Sequence, residues 1–306
     1  RTSNGRPGTR RGVTYDDAGS GARTARRHDR QEGCLDRPRD PLPTRVDGLP
    51  DLPEAFDAAL DAGLAELRLS LSGDARRAIA DHVRLLLAWN RAINLTAVRD
   101  PDAIAIRHVA DSLTALRVFE ERRIRTFIDL GSGGGFPALP LVAAVPDVRA
   151  RLIESVAKKA RFLGAAVEAI GAGDRVEVLA LRAESLAVDR AHGRWDAVTA
   201  RAVASLGDLV ELALPLLGPG GCLVAWKTAS AVGTRSAELA GAHRAIAAID
   251  ADARIEVSPA VPAGDRAEGR PLSALSDHRL VIVTRGSAPI TGRWPRDPAA
   301  RRRAPW

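Results

Sequence analysis

Phe127-Ile128-Asp129-Leu130-Gly131-Ser132-Gly133-Gly134-Gly135-Phe136-Pro137 is the stretch that decides the fold. An apolar run passes straight into a glycine-rich turn, and Pro137 suits the first turn of a helix behind it. Glycine is required where the backbone takes positive φ or comes close to a ligand. In sheets of parallel strands, ligands sit in the crevice at the carboxyl ends. The glycines fall at 131, 133 and 135. A dinucleotide fingerprint wants its third glycine at the sixth position, which here is Phe136. No Gly-Lys-Ser/Thr follows, so the loop is not of the ATPase kind. The loop approaches a ligand without having to cradle a diphosphate.

Outward from the loop, short apolar runs alternate with helical stretches. Strands are expected at 126–130, 150–154, 176–179, 197–199, 221–226, 255–257 and 280–284. Helices are expected at 137–144, 156–170, 206–217 and 234–249. This βαβ alternation predicts a doubly wound α/β domain with seven mostly parallel strands, one of them reversed. Glu154 ends the second strand, where an acid can accept hydrogen bonds from both ribose hydroxyls of a nucleoside. Loop and acid together favour a nucleoside-like cofactor lacking a diphosphate, S-adenosylmethionine. Asp129 either faces the amine of that cofactor or holds the loop through backbone N–H groups, and the sequence leaves both open.

Upstream lies a helical lead-in over 53–119. Ile79, Val83, Leu86 and Leu87 recur at helical spacing, and Ser72 is placed to cap that helix. A further helix starts after Pro101 and carries His108, Asp111, Leu113 and Leu116. His108 and Asp111 stand three apart and share a face, which alone reads as a surface pair.

Charge separates the ends from the middle. The net charge is +7, from 45 Lys and Arg against 38 Asp and Glu. Residues 1–50 hold eleven Arg and seven acids, and 285–306 hold six Arg and one acid, leaving the middle slightly acidic. Basic ends suit an anionic partner such as nucleic acid, or a solvated tail. Residues 1–50 read as a disordered basic extension, with order beginning near Leu52. The expected division is 1–50, a helical subdomain at 51–122, a catalytic domain at 123–290, and a basic tail at 291–306. Two cysteines argue against a disulfide scaffold. No stretch of 18 apolar residues marks a membrane span, so a cytoplasmic protein is expected. The six histidines never form a close ligand pair, so no metal site is expected.

Ordered blocks add a resemblance. They are Trp89-Asn90-x-x-x-Asn94-Leu95-Thr96, Arg107-His108-x-x-Asp111-Ser112-Leu113, the glycine loop, Glu154-Ser155-x-x-Lys158-Lys159-x-x-Phe162-Leu163, Arg182-Ala183-Glu184 and Thr199-Ala200-Arg201-Ala202-Val203. Pro215-Leu216-Leu217-x-x-Gly220-Gly221 and the basic end after Pro289 follow. Together they span about 53–300 and resemble the bacterial RsmG (GidB) family, which methylates N7 of a guanine in 16S ribosomal RNA. Trp294-Pro295-Arg296 departs mildly, standing where the family more often has Tyr-Pro-Arg.

The resemblance implies a class I, Rossmann-like methyltransferase fold with a helical extension. It implies cofactor contacts at Gly131, Phe136, Ala183, Glu184 and Arg201, beside Asp129, Gly133, Gly135 and Glu154. It implies that Asn94, His108, Asp111 and Arg201 border the substrate. Guanine N7 carries an in-plane lone pair at neutral pH, so no general base is expected. Lys158, Lys159, Arg161, Arg296, Arg301, Arg302 and Arg303 are the candidate RNA contacts. Removal of 293–306 is therefore expected to weaken RNA binding and spare cofactor binding. The expected partner is 16S ribosomal RNA or the small ribosomal subunit, met by a monomer. Competing readings are a methyltransferase for another RNA or a small molecule, a non-catalytic RNA-binding protein on this fold and, weakest because of Phe136, an NAD oxidoreductase.

Overall fold

The computed structural model describes residues 42–188, 194–233, 236–261 and 275–306. Strand β1 (Thr126–Leu130) lies at the centre of a seven-stranded sheet. Phe127 through Leu130 are all buried, as a strand covered on both faces demands. The other strands are β2 (Arg149–Ile153), β3 (Val176–Leu179), β4 (Trp195–Arg201), β5 (Leu217–Thr228), β6 (Arg254–Pro259) and β7 (His278–Thr284). Their spatial order is β3-β2-β1-β4-β5-β7-β6. The first five run parallel, and β7 enters antiparallel between β5 and β6. This is the mostly parallel seven-stranded sheet with a reversed strand read from the sequence.

Alternation along the strands feeds two cores. Phe127, Leu152, Val224 and Ile282 face one side, together with α6 (Ala138–Ala144) and α7 (Ala157–Ala169). Ile128, Ile153, Leu223 and Val283 face the other, where α8 (Ala183–Val188), α9 (Leu206–Ala213) and α10 (Ala237–Ile249) pack. The lead-in helices α1 (Glu54–Leu67) and α2 (Gly73–Trp89) join the first core through Phe56, Leu60, Ile79, Val83 and Leu86. Ser72 caps α2 as expected, its hydroxyl accepting from the Ala75 N–H at 3.1 Å. Among the described residues no helix is long and apolar enough to cross a membrane.

Two expectations need correction. Order begins before Leu52. Leu42, Val46 and Leu49 pack against the core, and Trp89 Nε1 donates to the Pro43 carbonyl at 2.6 Å. The rest of the expected extension, residues 1–41, lies outside the described residues. The helix after Pro101 is broken into α3 (Pro101–Ile104), a π-helical turn over Ala105–Ala110 and α4 (Asp111–Leu113), and Leu116 opens α5 (Leu116–Glu121). Wider winding of that kind gathers at functional sites and escapes a 3.6-residue period. The basic tail contains a short helix, α11 (Pro298–Arg303). The Asp297 side chain caps it by accepting from the Ala299 and Ala300 N–H groups, both at 2.9 Å, and Pro298 opens it. An Asp-Pro pair signals a helix start, so this element was legible.

Candidate cofactor and substrate site

The glycine loop leaves the carboxyl end of β1 and turns sharply into α6. Gly131 and Gly135 take φ of +71° and +85°. A Cβ on Gly135 would stand 2.6 Å from Leu139 Cδ1, and one on Gly131 would stand 2.8 Å from Val203 Cγ2. The loop is anchored from three directions. The Gly131 and Ser132 N–H groups donate to the Ile153 carbonyl, at 2.8 and 3.1 Å. The Gly133 N–H donates to Glu154 Oε2 at 3.0 Å. His82 of α2 donates from Nε2 to the Gly134 carbonyl at 2.8 Å. Burial holds His82 at about 4, hence neutral, and its Nδ1 is a bare acceptor. His82 went unnoticed in the sequence. Its signal was a polar residue inside the apolar stripe of α2.

Asp129 stands on β1 beside Thr199 of β4, in register with it. Asp129 Oδ1 accepts from the Thr199 hydroxyl at 2.7 Å. Its Oδ2 is buried without a hydrogen-bond partner. Burial pushes this carboxyl up to about 6. The loop N–H bond goes to Glu154 instead, so Asp129 keeps an open acceptor beside the glycines. A buried, unpartnered carboxylate oxygen fits the ammonium of an amino-acid moiety. Glu154 accepts from Gly133 through one oxygen and from the Val156 N–H through the other, at 2.8 Å. Each oxygen retains a further lone pair for a hydroxyl donor. The residues present thus suit S-adenosylmethionine.

Phe136 covers the next stretch of wall. Its ring centroid lies 4.7 Å from that of His82 and 4.9 Å from that of His108, and the Arg201 guanidinium carbon lies 5.4 Å from it. Here the structure brings His108, Asp111 and Arg201 together. Asp111 is buried and accepts from Arg201 at 2.9 Å through Oδ2. His278 Nδ1 lies 2.6 Å from Asp111 Oδ1, and this bond raises the His278 pKa. Trp226 Nε1 donates to the Asp111 carbonyl at 2.8 Å. Arg201 also reaches His108 Nδ1 at 3.2 Å, and His108 Nε2 lies 2.6 Å from the Thr96 hydroxyl. Burial, and then the Arg201 cation, hold His108 at about 4. The neutral ring has Arg201 and, at 3.0 Å, the Arg107 carbonyl against its Nδ1, and the Thr96 hydroxyl against its Nε2.

Asn94 is exposed in the 90–100 loop, whose shape is set by Asn90. Asn90 Oδ1 accepts from the Leu95 and Thr96 N–H groups at 2.9 and 3.1 Å. Behind β4, Ala202 has a left-handed φ of +56°, and Val203 is left 41% exposed over Gly131. Lys227 braces this turn by donating to the Ala204 carbonyl at 3.0 Å and to Glu238 at 2.8 Å. His278, Trp226 and Lys227 had no separate signal, because each acts through a partner on another element, and Thr199 stood out only as the first residue of the Thr199–Val203 block.

The basic candidates divide. Lys158, Arg161, Arg302 and Arg303 are exposed and Lys159 is half-buried. Arg296 and Arg301 are held on carboxylates. Arg296 chelates Glu211, which is 0% exposed, and Arg301 reaches Glu184 and Asp208. Ala183 and Glu184 open α8, just past the carboxyl end of β3.

A β3-β2-β1-β4-β5-β7-β6 sheet with β7 reversed, a glycine loop after β1 and an acid after β2 define a class I methyltransferase. The family model of GidB, rRNA small subunit methyltransferase G, matches residues 75–249. Ribosomal RNA small subunit methyltransferase G of Listeria innocua is 31% identical over 83% of this chain and 98% of its own. That of Rubrobacter xylanophilus is 42% identical over 57% of this chain and 65% of its own. The chain belongs to the rRNA small subunit methyltransferase G family. Among solved structures, an O-methyltransferase from Bacillus cereus in complex with SAH has a TM-score of 0.49 at 14% identity, covering 75% of this chain and 100% of that one.

Proposed function

We propose that this protein methylates N7 of a guanine in 16S ribosomal RNA, using S-adenosylmethionine, as a monomer in the cytoplasm. Family membership carries the substrate, and the open Asp129 Oδ2 beside the glycine loop supports the cofactor. When bound, S-adenosylmethionine supplies a methyl group on a cationic sulfur. Asp129, Gly131, Gly133, Gly135, Phe136, Glu154, Ala183 and Glu184 would hold it. Guanine N7 presents a lone pair without losing a proton. The side chains agree with a site that needs no base: His108 is neutral with its Nδ1 facing Arg201, and Asp111 is engaged by Arg201 and His278. Their work is to fix Arg201 over Phe136, align the base and exclude water. Asn94, His108, Asp111 and Arg201 border the base. Lys158, Lys159, Arg161, Arg302 and Arg303 remain available for phosphates.

The test is methyl transfer from labelled S-adenosylmethionine to small subunits, and to bare rRNA, from cells lacking the modification. The expected result is label at one guanine N7. Label at another atom, or none from a protein that binds the cofactor, overturns the reading.

A further inference from the structure

We infer that Arg301 is a positioning residue for the cofactor, holding Glu184 in place, so that this arginine of the docked C-terminal segment serves the cofactor side of the site and not RNA binding. This rests on the reading that Glu184 contacts the cofactor.

Arg301 is on α11 with its side chain only 11% exposed. Its guanidinium reaches Glu184 Oε1 at 2.9 Å and Asp208 Oδ1 at 3.1 Å. Glu184 belongs to α8, which follows β3, and Asp208 to the first turn of α9, which follows β4. Both helices start from the carboxyl edge of the sheet, the edge that carries the glycine loop. One planar fork therefore ties together two elements at the cofactor edge. Arginine suits this because its donors are rigidly splayed, whereas lysine offers a single point charge.

The segment that carries Arg301 is itself fixed. Arg296 gives Glu211 its backbone N–H at 2.6 Å and side-chain bonds of 2.7 to 3.1 Å. Trp306 Nε1 donates to the same carboxylate at 2.6 Å. The Arg296 guanidinium carbon lies 4.2 Å from the centroid of the Trp306 ring. Trp306 fills a slot made by Gly207 of α9 and Gly241 of α10, where a Cβ would stand 2.5 and 3.3 Å from its atoms. A fully buried carboxylate without this partner would be strongly unfavourable, so the segment stays docked.

The experiment measures S-adenosylmethionine affinity by calorimetry, and affinity for a 16S rRNA fragment, for Arg301→Ala, Arg301→Lys, Glu184→Gln and the Arg301→Ala/Glu184→Gln double variant. Arg301→Ala is expected to weaken cofactor binding about tenfold, with RNA affinity within about twofold of wild type. Arg301→Lys restores part of the loss. Glu184→Gln weakens binding alone, and the double variant is no worse than the worse single one, as residues acting through one contact require. Additive losses, or full cofactor affinity in Arg301→Ala while Glu184→Gln loses it, overturn the inference and leave the reading of Glu184 standing. Full affinity in Glu184→Gln removes that reading and the inference with it. Loss of RNA affinity alone in Arg301→Ala returns the residue to the RNA.

Discussion

Asp129 and Glu211 are both buried carboxylates, and they sit in opposite circumstances. Glu211 receives Arg296 and Trp306, so its charge is matched. Arg296→Ala removes the guanidinium from that buried charge, leaving it only the backbone N–H of residue 296 and the Trp306 indole N–H, and should lower unfolding free energy by about 3–5 kcal/mol in denaturant titration. Asp129 has one oxygen unpartnered and a pKa raised to about 6, so the fold tolerates it at a loss. Asp129→Ala should therefore leave the cofactor-free protein no less stable at neutral pH. It should also weaken S-adenosylmethionine binding ten- to hundredfold, as loss of a hydrogen bond to a charged group implies, at about 1.5–3 kcal/mol. Calorimetry beside urea unfolding reads both. A destabilised protein with unchanged affinity would make Asp129 structural.

At the scale of elements, the turn between β1 and α6 has no room for a side chain at Gly135. Gly135→Ala places a Cβ in a left-handed conformation and against Leu139, and should cost about 1–3 kcal/mol of stability. Thermal melting beside a cofactor titration would check it, with affinity expected to fall as well. β1 and β3 coincide with their expected bounds because apolar runs between turn residues mark buried strands. β5 extends over Leu217–Thr228, beyond the expected 221–226, because its Gly-Pro-Gly start looks like a loop until pairing is known. The π turn was hidden because its winding breaks the period used to find helices. α8 is a six-residue helix, too short to show a period. Within the site, the glycine loop and Glu154 were legible because their chemistry is local. The Asp111 contacts were not, since Arg201 and His278 meet it across 90 and 167 residues.

For the whole molecule, pH is the variable that separates these groups. His82 is neutral when folded, with a pKa near 4 against an ordinary 6.5. Its contribution is complete above pH 6.5 and is lost as pH falls toward 4, a difference of about 3 kcal/mol. His108 acts in the same direction. Asp129 opposes them between its ordinary 3.8 and about 6. His278, raised by Asp111, contributes below its ordinary value and loses that contribution as pH climbs through its folded one. His82→Gln keeps a donor for the Gly134 carbonyl and removes the titration. Urea unfolding at a series of pH values should show the acid-side fall shallower by one proton in this variant, and an equal slope would count against a neutral His82. The bond from His82 to Gly134 joins residues 52 apart in the chain. The helical lead-in and the sheet are accordingly not exchangeable cassettes. A chimera that grafts the sheet of this protein onto a foreign leader would inherit the glycines and lose the hand that sets their shape.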